Sequence, residues 1–220
     1  MAHKQIETFE KIIGRSAEQK ILNHVLRAKK AEFLALYGRR RVGKTFLIRN
    51  FFIRSADIFF HATGIQKGKM QQQLKQFAIQ IGTTFYNGVE VAPSQNWFDA
   101  FENLTKAIVQ IKPSKQIVVF LDELPWMATR RSNLLQALEY YWNRYWNHDT
   151  RLKLVVCGSS ASWIIDKIIN SKGGLYNRVT RRMNLAPFSL CETKAFLHSI
   201  NIRLNNRQIL DFYLALGGIP

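Results

Sequence analysis

The stretch that decides the fold is Leu34-Ala35-Leu36-Tyr37-Gly38-Arg39-Arg40-Arg41-Val42-Gly43-Lys44-Thr45-Phe46-Leu47-Ile48. It has the pattern of a short apolar strand, a loop bounded by two glycines, and the beginning of a helix. Within it, Gly38 to Thr45 matches G-x-x-x-x-G-K-[ST] at every fixed position. Because the match is long and has the required strand–loop–helix context, the sequence predicts a phosphate-binding loop rather than a basic turn before a helix.

Each residue type in this loop has a physical role in binding phosphate. Gly38 and Gly43 permit backbone angles and close approaches that a side chain would block. Successive backbone N–H groups and the N-terminus of the helix form a cradle for phosphate oxygens. Lys44 is predicted to place its ammonium against the β- and γ-phosphates, and Thr45 to offer its hydroxyl to Mg²⁺. The predicted nucleotide contacts of this stretch are Gly38, Arg39, Arg40, Arg41, Val42, Gly43, Lys44, Thr45 and Phe46.

Length and composition are those of a globular protein. A chain of 220 residues is long enough for about one or two domains with a complete core. No apolar run approaches the ~18 residues of a membrane span, and the polar N-terminus has no signal-peptide core. We therefore expect a cytoplasmic protein without a membrane partner. Cys157 and Cys191 are the only cysteines, and both are expected to be buried, reduced thiols.

The net charge is less ordinary than the composition. The chain has 32 basic and 15 acidic residues, which gives +17. Such a balance favours anionic partners such as nucleic acid or nucleotides. The charge is spread along the chain rather than concentrated in one tail, so a generally basic, solvated surface is an equally good interpretation. A non-specific nucleic-acid partner therefore stays open at this point.

A second strongly patterned stretch is Gln116-Ile117-Val118-Val119-Phe120-Leu121-Asp122-Glu123-Leu124. Its consecutive apolar residues predict a strand that is buried on both faces, as in a parallel sheet. Two carboxylates then follow at the C-terminal end, where open α/β sheets bind their ligands. Asp122 is predicted to support Mg²⁺ through its water ligands, and Glu123 to polarise a water molecule for attack on the γ-phosphate.

A third buried strand is predicted for Lys153-Leu154-Val155-Val156-Cys157-Gly158-Ser159-Ser160, which ends in small hydroxyl residues. If this strand lies beside the strand of Asp122, Ser159 or Ser160 is close to the γ-phosphate. A hydroxyl at that place senses the nucleotide and orients water. A helix N-cap is the alternative role for these serines.

The segment from residue 172 to 182 combines a Gly173-Gly174 hinge with several arginines. Arg178 is the first candidate to reach a phosphate in the same or a neighbouring subunit. Arg181 and Arg182 are nearby competitors. A structural or DNA-facing role for all three is an equal alternative.

The remaining elements follow from hydrophobic spacing and from start and stop signals. Ser16 is expected to cap the first helix, and Ser189 with Glu192 to form a capping box. His61, at the end of the second strand, is assigned a structural role because no second metal ligand lies nearby. Aromatic residues of the helix over 134–146 are assigned to the core rather than to a base-stacking platform. Further helices are predicted over 44–54, 69–81, 97–111 and 208–216, and a last strand or extended run over 183–188.

Seven segments in a fixed order carry a resemblance that spans nearly the whole chain. They are Ile13-Gly14-Arg15 with Glu18, Gly38 to Thr45, Asp122-Glu123, Gly158-Ser159-Ser160, Gly174 to Arg178, Leu185-Ala186-Pro187-Phe188 and Gly217-Gly218-Ile219-Pro220. In this order the segments resemble the archaeal-type ATPase family, a prokaryotic branch of the AAA+/STAND P-loop ATPases. The turn of Ile13, Gly14 and Arg15 is then expected to contact the adenine ring, and a plain helix start is the alternative. Pro220 resembles the proline of the STAND helical lid that approaches the nucleotide.

The resemblance implies a fold and a division of the chain. The fold is α/β: the three-layer α/β/α arrangement of P-loop NTPases, with a mostly parallel central sheet followed by the start of a small helical lid. The implied ATPase core is residues 1–188, and the implied lid is residues 189–220. Family members usually continue into a winged helix and often a nuclease-like domain, so this sequence is expected to be the N-terminal ATPase portion.

The resemblance also implies the cofactors and the residue roles. ATP or ADP and Mg²⁺ are the implied cofactors, with Asp122 supporting the metal and Glu123 as the catalytic base. Ser159 or Ser160 is the implied sensor, and Arg178 the implied arginine finger. An arginine finger supplied by a neighbour makes a homo-oligomer an expected partner.

Two classes of function follow. The first is an ATPase that couples ATP turnover to a conformational change, on DNA if nucleic acid is a partner. The second is a nucleotide-gated DNA-binding adaptor or switch with negligible turnover. The intact Glu123 favours the first. A GTPase is disfavoured because the sequence has no Asn-Lys-x-Asp base-reading motif.

Overall fold

A computed structural model describes residues 10–171 and 173–220. Its centre is a five-stranded sheet. The strands are β1 (Glu32–Tyr37), β2 (Ile58–Thr63), β3 (Ile117–Asp122), β4 (Leu152–Gly158) and β5 (Arg181–Asn184). All neighbouring strands pair in parallel, in the spatial order β2-β3-β4-β1-β5. The loops that follow β1, β3 and β4 therefore share one edge of the sheet.

Helices cover both faces of this sheet. They are α1 (Ser16–Arg27), α2 (Lys44–Ser55), α3 (Met70–Phe85), α4 (Trp97–Val109), α5 (Leu124–Met127), α6 (Leu134–Arg144), α7 (Ala161–Ile164), α8 (Leu190–Ser199) and α9 (Asn206–Leu216). One apolar cluster joins α1 and α2 to the sheet, and a larger one joins α3, α4 and α6 to its other face. The predicted three-layer α/β/α fold is confirmed, and the described sheet is parallel throughout.

The central strands are apolar because they have no solvent-facing side. All six residues of β3 and all seven of β4 are buried. A parallel strand covered by helices on both faces cannot alternate polar and apolar side chains. This burial explains why β3 and β4 were recognisable from consecutive apolar residues.

Several element boundaries differ from the predicted ones. The helix predicted over 69–81 continues to Phe85, and the one predicted over 134–146 ends at Arg144. The last strand begins at Arg181, because residues 181–184 pair with residues 34–37 of β1. The Leu185 N–H still donates to the carbonyl oxygen of Tyr37, where β1 ends, at 2.8 Å, so only residues 186–188 continue beyond the pairing with β1.

Two local predictions are wrong and one is confirmed. The N-cap of α1 is Arg15, at φ 56° and without a side-chain cap, so Ser16 is already inside the helix. Cys191 is exposed on α8, whereas Cys157 is buried in β4 as expected. The capping box of α8 is confirmed: Ser189 Oγ accepts from the backbone N–H of Glu192, 3.2 Å away.

The aromatic residues around α6 divide between core and surface. Trp142 and Trp146 are buried, as predicted. Tyr140 and Tyr145 are each 44% exposed and contact one another at the surface. The core assignment therefore holds for the tryptophans and does not extend to these two tyrosines.

A buried lysine forms hydrogen bonds to the backbone near the N-terminal ends of β1 and β4. Lys153 of β4 is fully buried, and its Nζ donates to the carbonyl oxygens of Ala28, Lys30 and Thr150 at 2.8, 2.6 and 2.8 Å. Burial lowers the pKa of Lys153, and the nearby carboxylates of Glu32 and Asp149 oppose that shift. The ammonium thus ties the turn before β1 to the beginning of β4.

Replacing Lys153 by alanine is expected to lower the free energy of unfolding by about 3 kcal/mol, because three acceptors lose their donor and a cavity remains. Urea denaturation followed by circular dichroism measures this change. Lys112→Ala, at an exposed lysine, is the matched control and should stay within about 0.5 kcal/mol of wild type. Equal stability of the two variants would contradict the assigned role of Lys153.

Candidate functional site

The loop between β1 and α2 has the backbone geometry that its glycines predict. Gly38 has φ 148° and Gly43 has φ 88°. A Cβ added at Gly38 would collide with the carbonyl oxygen of Leu185, so only glycine fits there. A Cβ added at Gly43 would lie 4.0 Å from Cγ of Pro220, so the end of the described chain is beside the loop.

Lys44 lies at the beginning of α2 and turns back over the loop. Its side chain is 6% exposed, and Nζ donates to the carbonyl oxygens of Gly38 and Arg39 at 2.9 and 2.8 Å. An ammonium group has three donors. Two hold the loop in shape, which leaves a third donor and the positive charge for an anion.

Thr45 and Asp122 meet at the carboxyl edge of the sheet, as predicted. Thr45 Oγ1 donates to Asp122 Oδ2 at 2.7 Å, and Asp122 is 2% exposed. His61 Nε2 lies 3.6 Å from the same oxygen. Burial alone would raise the pKa of Asp122, but the contacts from His61 and Thr45 outweigh it and hold this pKa below its ordinary value. The Asp122 carboxylate is therefore ionised at neutral pH, and its oxygens can serve as ligands of a cation.

Glu123 and Ser159 meet beside this pair. Glu123 Oε2 accepts from both the backbone N–H and the hydroxyl of Ser159, at 3.1 and 3.0 Å. Glu123 itself has a left-handed backbone, with φ 47°. Ser160 is the N-cap of α7 but makes no side-chain cap. Of the two candidate serines, the structure thus brings Ser159 to the glutamate.

A cavity of about 500 Å³ opens between the loop and the C-terminal helices. Its lining is mostly apolar and includes Ile13, Phe46, Phe188, Ile200 and Pro220. Its size and apolar walls suit a planar base next to the phosphate cradle. Ile13, Phe46 and Pro220, three of the predicted nucleotide contacts, therefore share one cavity.

Arg15 also lines this cavity, but polar groups of the protein engage it. Its guanidinium donates to the carbonyl oxygens of Ala186 and Val42 at 2.7 and 3.1 Å. It lies over the ring of Phe188, and its backbone N–H donates to Glu192 at 2.8 Å. Arg15 therefore connects the phosphate-binding loop to α8, while Gly14 before it turns the chain with φ 66°.

Arg178 and Arg181 lie toward the edge where β1 begins, whereas Arg182 pairs with Ala35 in the middle of β1. The Thr180 N–H donates to the Phe33 carbonyl oxygen at 2.9 Å, near the beginning of β1, so exposed Arg178 is close to the edge where β1 begins. Arg181 Nε is 3.7 Å from Glu32, and Arg182 is exposed. A strand as long as β1, six residues, separates the two edges by roughly 15–20 Å. The structure does not bring Arg178 to the phosphate-binding loop of its own chain.

Two contacts at this edge were not predicted from the sequence. His61, which was assigned a structural role, contacts Asp122 and stacks on Phe120 at 4.7 Å. Trp126 was not singled out, yet the guanidinium of Arg40 lies 5.6 Å from its ring centre. The available signal for His61 was its position at the end of a strand. The position of His61 predicts a contact with Asp122 only when β2 is known to pair with β3.

The described part of the chain has neither a cluster of metal-ligating side chains nor a helix that could cross a membrane. Residues 10–171 and 173–220 contain no group of three or more His, Cys, Asp or Glu side chains that could hold a metal ion. Over the same residues, no helix is both long and apolar enough to cross a membrane.

The fold and the phosphate-binding loop together define a P-loop ATPase domain. A family model described as an ATPase domain predominantly from Archaea matches residues 13–220. The chain belongs to that family, as the sequence resemblance predicted.

Known proteins are similar to this chain over part of their own length. It is 27% identical to the uncharacterized protein MJECL04 of Methanocaldococcus jannaschii, over 94% of this chain and 42% of that protein. The Walker-type ATPase PABY2304 of Pyrococcus abyssi has a TM-score of 0.63 at 21% identity, over 95% of this chain and 65% of that one. The ORC2 protein of Aeropyrum pernix, in ADPNP and ADP complexes, has a TM-score of 0.64 at 16% identity. The match covers 92% of this chain and 57% of that one. The chain thus spans under half of the sequence relative, and the two structures show a shared fold.

Proposed function

We propose that this domain hydrolyses ATP with Mg²⁺ and couples the turnover to a conformational change of residues 189–220. The observation that carries the proposal is the meeting of three loops. The phosphate-binding loop, the Asp122-Glu123 pair and Ser159 lie together at one sheet edge, with Thr45 Oγ1 only 2.7 Å from Asp122. Separately these residues are a loop, an acidic turn and a serine, whereas together they supply phosphate binding, metal ligands and a base.

The oxygen donors at this edge fit Mg²⁺. This ion prefers oxygen ligands and usually keeps several waters, and the Thr45 hydroxyl and the anionic Asp122 offer such ligands side by side. Thr45 and Asp122 would hold the ion, which neutralises phosphate charge when bound. Lys44 would direct its remaining N–H to the β- and γ-phosphates.

Glu123 is the proposed general base, and Ser159 its positioning partner. Ser159 holds one carboxylate oxygen by two hydrogen bonds, which fixes the position of the carboxylate at the phosphate-binding end of the sheet. A carboxylate so placed can accept a proton from a water molecule that attacks the γ-phosphate.

Residues 189–220 are the proposed lid, and residues up to 188 the core. Hydrogen bonds join the two: the Phe188 N–H donates to the carbonyl oxygen of Gly218 at 2.7 Å, and the Glu192 carboxylate accepts from the Arg15 backbone N–H at 2.8 Å. Since Pro220 and Phe188 line the apolar cavity, a base bound there would contact both parts. Binding or loss of nucleotide would then shift α8 and α9 relative to the loop.

Replacing Glu123 by glutamine is the direct test of turnover. We expect ATP binding to remain and hydrolysis to slow by about two orders of magnitude or more, because glutamine keeps the shape but cannot accept the proton. Binding is measured with a fluorescent ATP analogue, and turnover by phosphate release. Glu90→Gln, at an exposed glutamate, is the matched control. Full turnover by Glu123→Gln would place the base elsewhere.

A nucleotide-gated switch with negligible turnover is the second candidate. The observation in its favour is that Ser159 already engages Glu123 twice. Phosphate release measured with and without DNA separates the two functions. Turnover that stays negligible in both conditions, with ATP binding intact, would support the switch.

Nucleic acid is the proposed macromolecular partner, on the basis of the +17 charge. We expect binding without sequence preference that falls steeply with salt, because each neutralised phosphate contributes about 0.9 to the log–log slope on duplex DNA. Affinity titrations of two unrelated duplexes over a series of salt concentrations measure both properties. A strong preference for one duplex, or a flat salt dependence, would contradict this expectation.

A further inference from the structure

Three loops meet around Trp126 at the carboxyl edge of the sheet, and only the phosphate-binding loop among them has an assigned ligand. Arg40 lies over the Trp126 ring at 5.6 Å, which joins the phosphate-binding loop to the segment after β3. The buried side chain of Gln73 donates to the Trp126 carbonyl oxygen at 3.1 Å and also bonds both backbone groups of Ile65. The loop after β2 is thereby fixed to the same tryptophan.

These loops have an extreme charge composition. Residues 38–43, 64–69 and 128–133 contain seven basic residues and no carboxylate. We call these residues and Trp126 the edge patch: Arg39, Arg40, Arg41, Lys67, Lys69, Arg130, Arg131 and Trp126. All seven basic residues are exposed, and Trp126 is half-buried. The basic surface considered for the whole chain thus includes, at this edge, seven exposed basic residues on three loops that adjoin Trp126.

We propose that the edge patch binds single-stranded nucleic acid, with phosphates along the arginines and lysines and a base against Trp126 and Arg40. This inference rests on the proposed nucleic-acid partner and assigns the binding site of that partner to the edge patch. Single-strand sites combine a cationic track with an aromatic surface on which bases stack, and arginine adds a cation–π contribution. An acidic protein could also bind the basic side chains, but it has no planar bases to stack on the Trp126–Arg40 pair.

The position of the patch connects it to ATP turnover. The backbone N–H of Trp126 donates to the carbonyl oxygen of Glu123 at 2.8 Å, so the ring belongs to the first turn after the proposed base. A strand that stacks on Trp126 would also restrain the backbone that carries the Glu123 carboxylate. Nucleic acid at the edge patch would therefore alter turnover through contact with this turn.

The test measures binding of a labelled oligothymidylate of about 20 nucleotides, longer than one single-strand site, by fluorescence anisotropy without ATP. Arg130→Ala/Arg131→Ala and Lys67→Ala/Lys69→Ala should each weaken binding by about tenfold and lower the salt slope by about 1.4, which is two phosphates on a single strand. The matched control is Lys29→Ala/Lys30→Ala, an adjacent exposed pair in the turn before β1, at the opposite edge. It should stay within about twofold of wild type.

Further measurements make the outcomes distinct. Trp126→Leu, checked for folding by circular dichroism, should bind oligothymidylate no better than polyglutamate of equal charge, whereas wild type should prefer the oligonucleotide. Equal losses in the control and patch pairs, or equal binding of both polymers by wild type, would overturn the inference. A fluorescent ATP analogue should bind all variants alike. Wild-type protein that binds this analogue but no oligothymidylate would remove the nucleic-acid partner and leave the ATPase proposal standing.

Discussion

Replacing Lys44 by alanine is expected to abolish tight Mg-ATP binding while the fold is retained. Lys44 is the one lysine in the phosphate-binding loop, and its Nζ is already held at the mouth of the loop by the carbonyl oxygens of Gly38 and Arg39. Alanine removes the cation opposite the β- and γ-phosphates, and no nearby side chain repeats its geometry. Equilibrium titration with a fluorescent ATP analogue and Mg²⁺ measures the loss.

Two controls keep this result interpretable. Lys75→Ala removes an exposed lysine from α3 and should bind ATP as wild type does. Circular dichroism and thermal unfolding of Lys44→Ala show whether the loop change has disturbed the fold, since two loop carbonyls lose their donor. Unchanged ATP affinity in a folded Lys44→Ala protein would refute the assignment of the phosphate-binding loop.

Replacing Arg178 by alanine is expected to lower turnover by about 10³-fold or more, because a guanidinium at the γ-phosphate stabilises charge in the transition state. Arg178 is exposed and close to the edge where β1 begins, roughly a strand length from its own loop. We therefore propose that it acts on the nucleotide of a neighbouring subunit, and that activity rises with protein concentration. Phosphate release over a range of protein concentrations measures both effects.

A mixing experiment separates this role from a structural one. Arg178→Ala and Lys44→Ala proteins should each be nearly inactive alone. Mixed, they should regain part of the activity, because the first keeps a sound ATP site and the second still offers Arg178. Arg27→Ala, at an exposed arginine at the end of α1, is the matched control and should keep wild-type turnover. No recovery in a mixture shown to co-assemble would rule out an arginine supplied between subunits.

The sequence by itself determined those features that are local. The loop from Gly38 to Thr45 is recognisable because the chemistry of phosphate binding needs particular residues at consecutive positions. β3 and its acidic end were recognisable because a strand buried on both faces must be apolar throughout, which makes Asp122 and Glu123 conspicuous. Both interpretations needed no knowledge of which strands are neighbours.

Only the tertiary structure decided the relations between distant segments. The choice of Ser159 over Ser160 depends on how β4 ends beside Glu123, and the contact of His61 with Asp122 depends on β2 lying next to β3. The distance of Arg178 from its own loop depends on the pairing of β5 with β1. Strand order and register arise from packing the whole chain into one core, so no short stretch of sequence contains them.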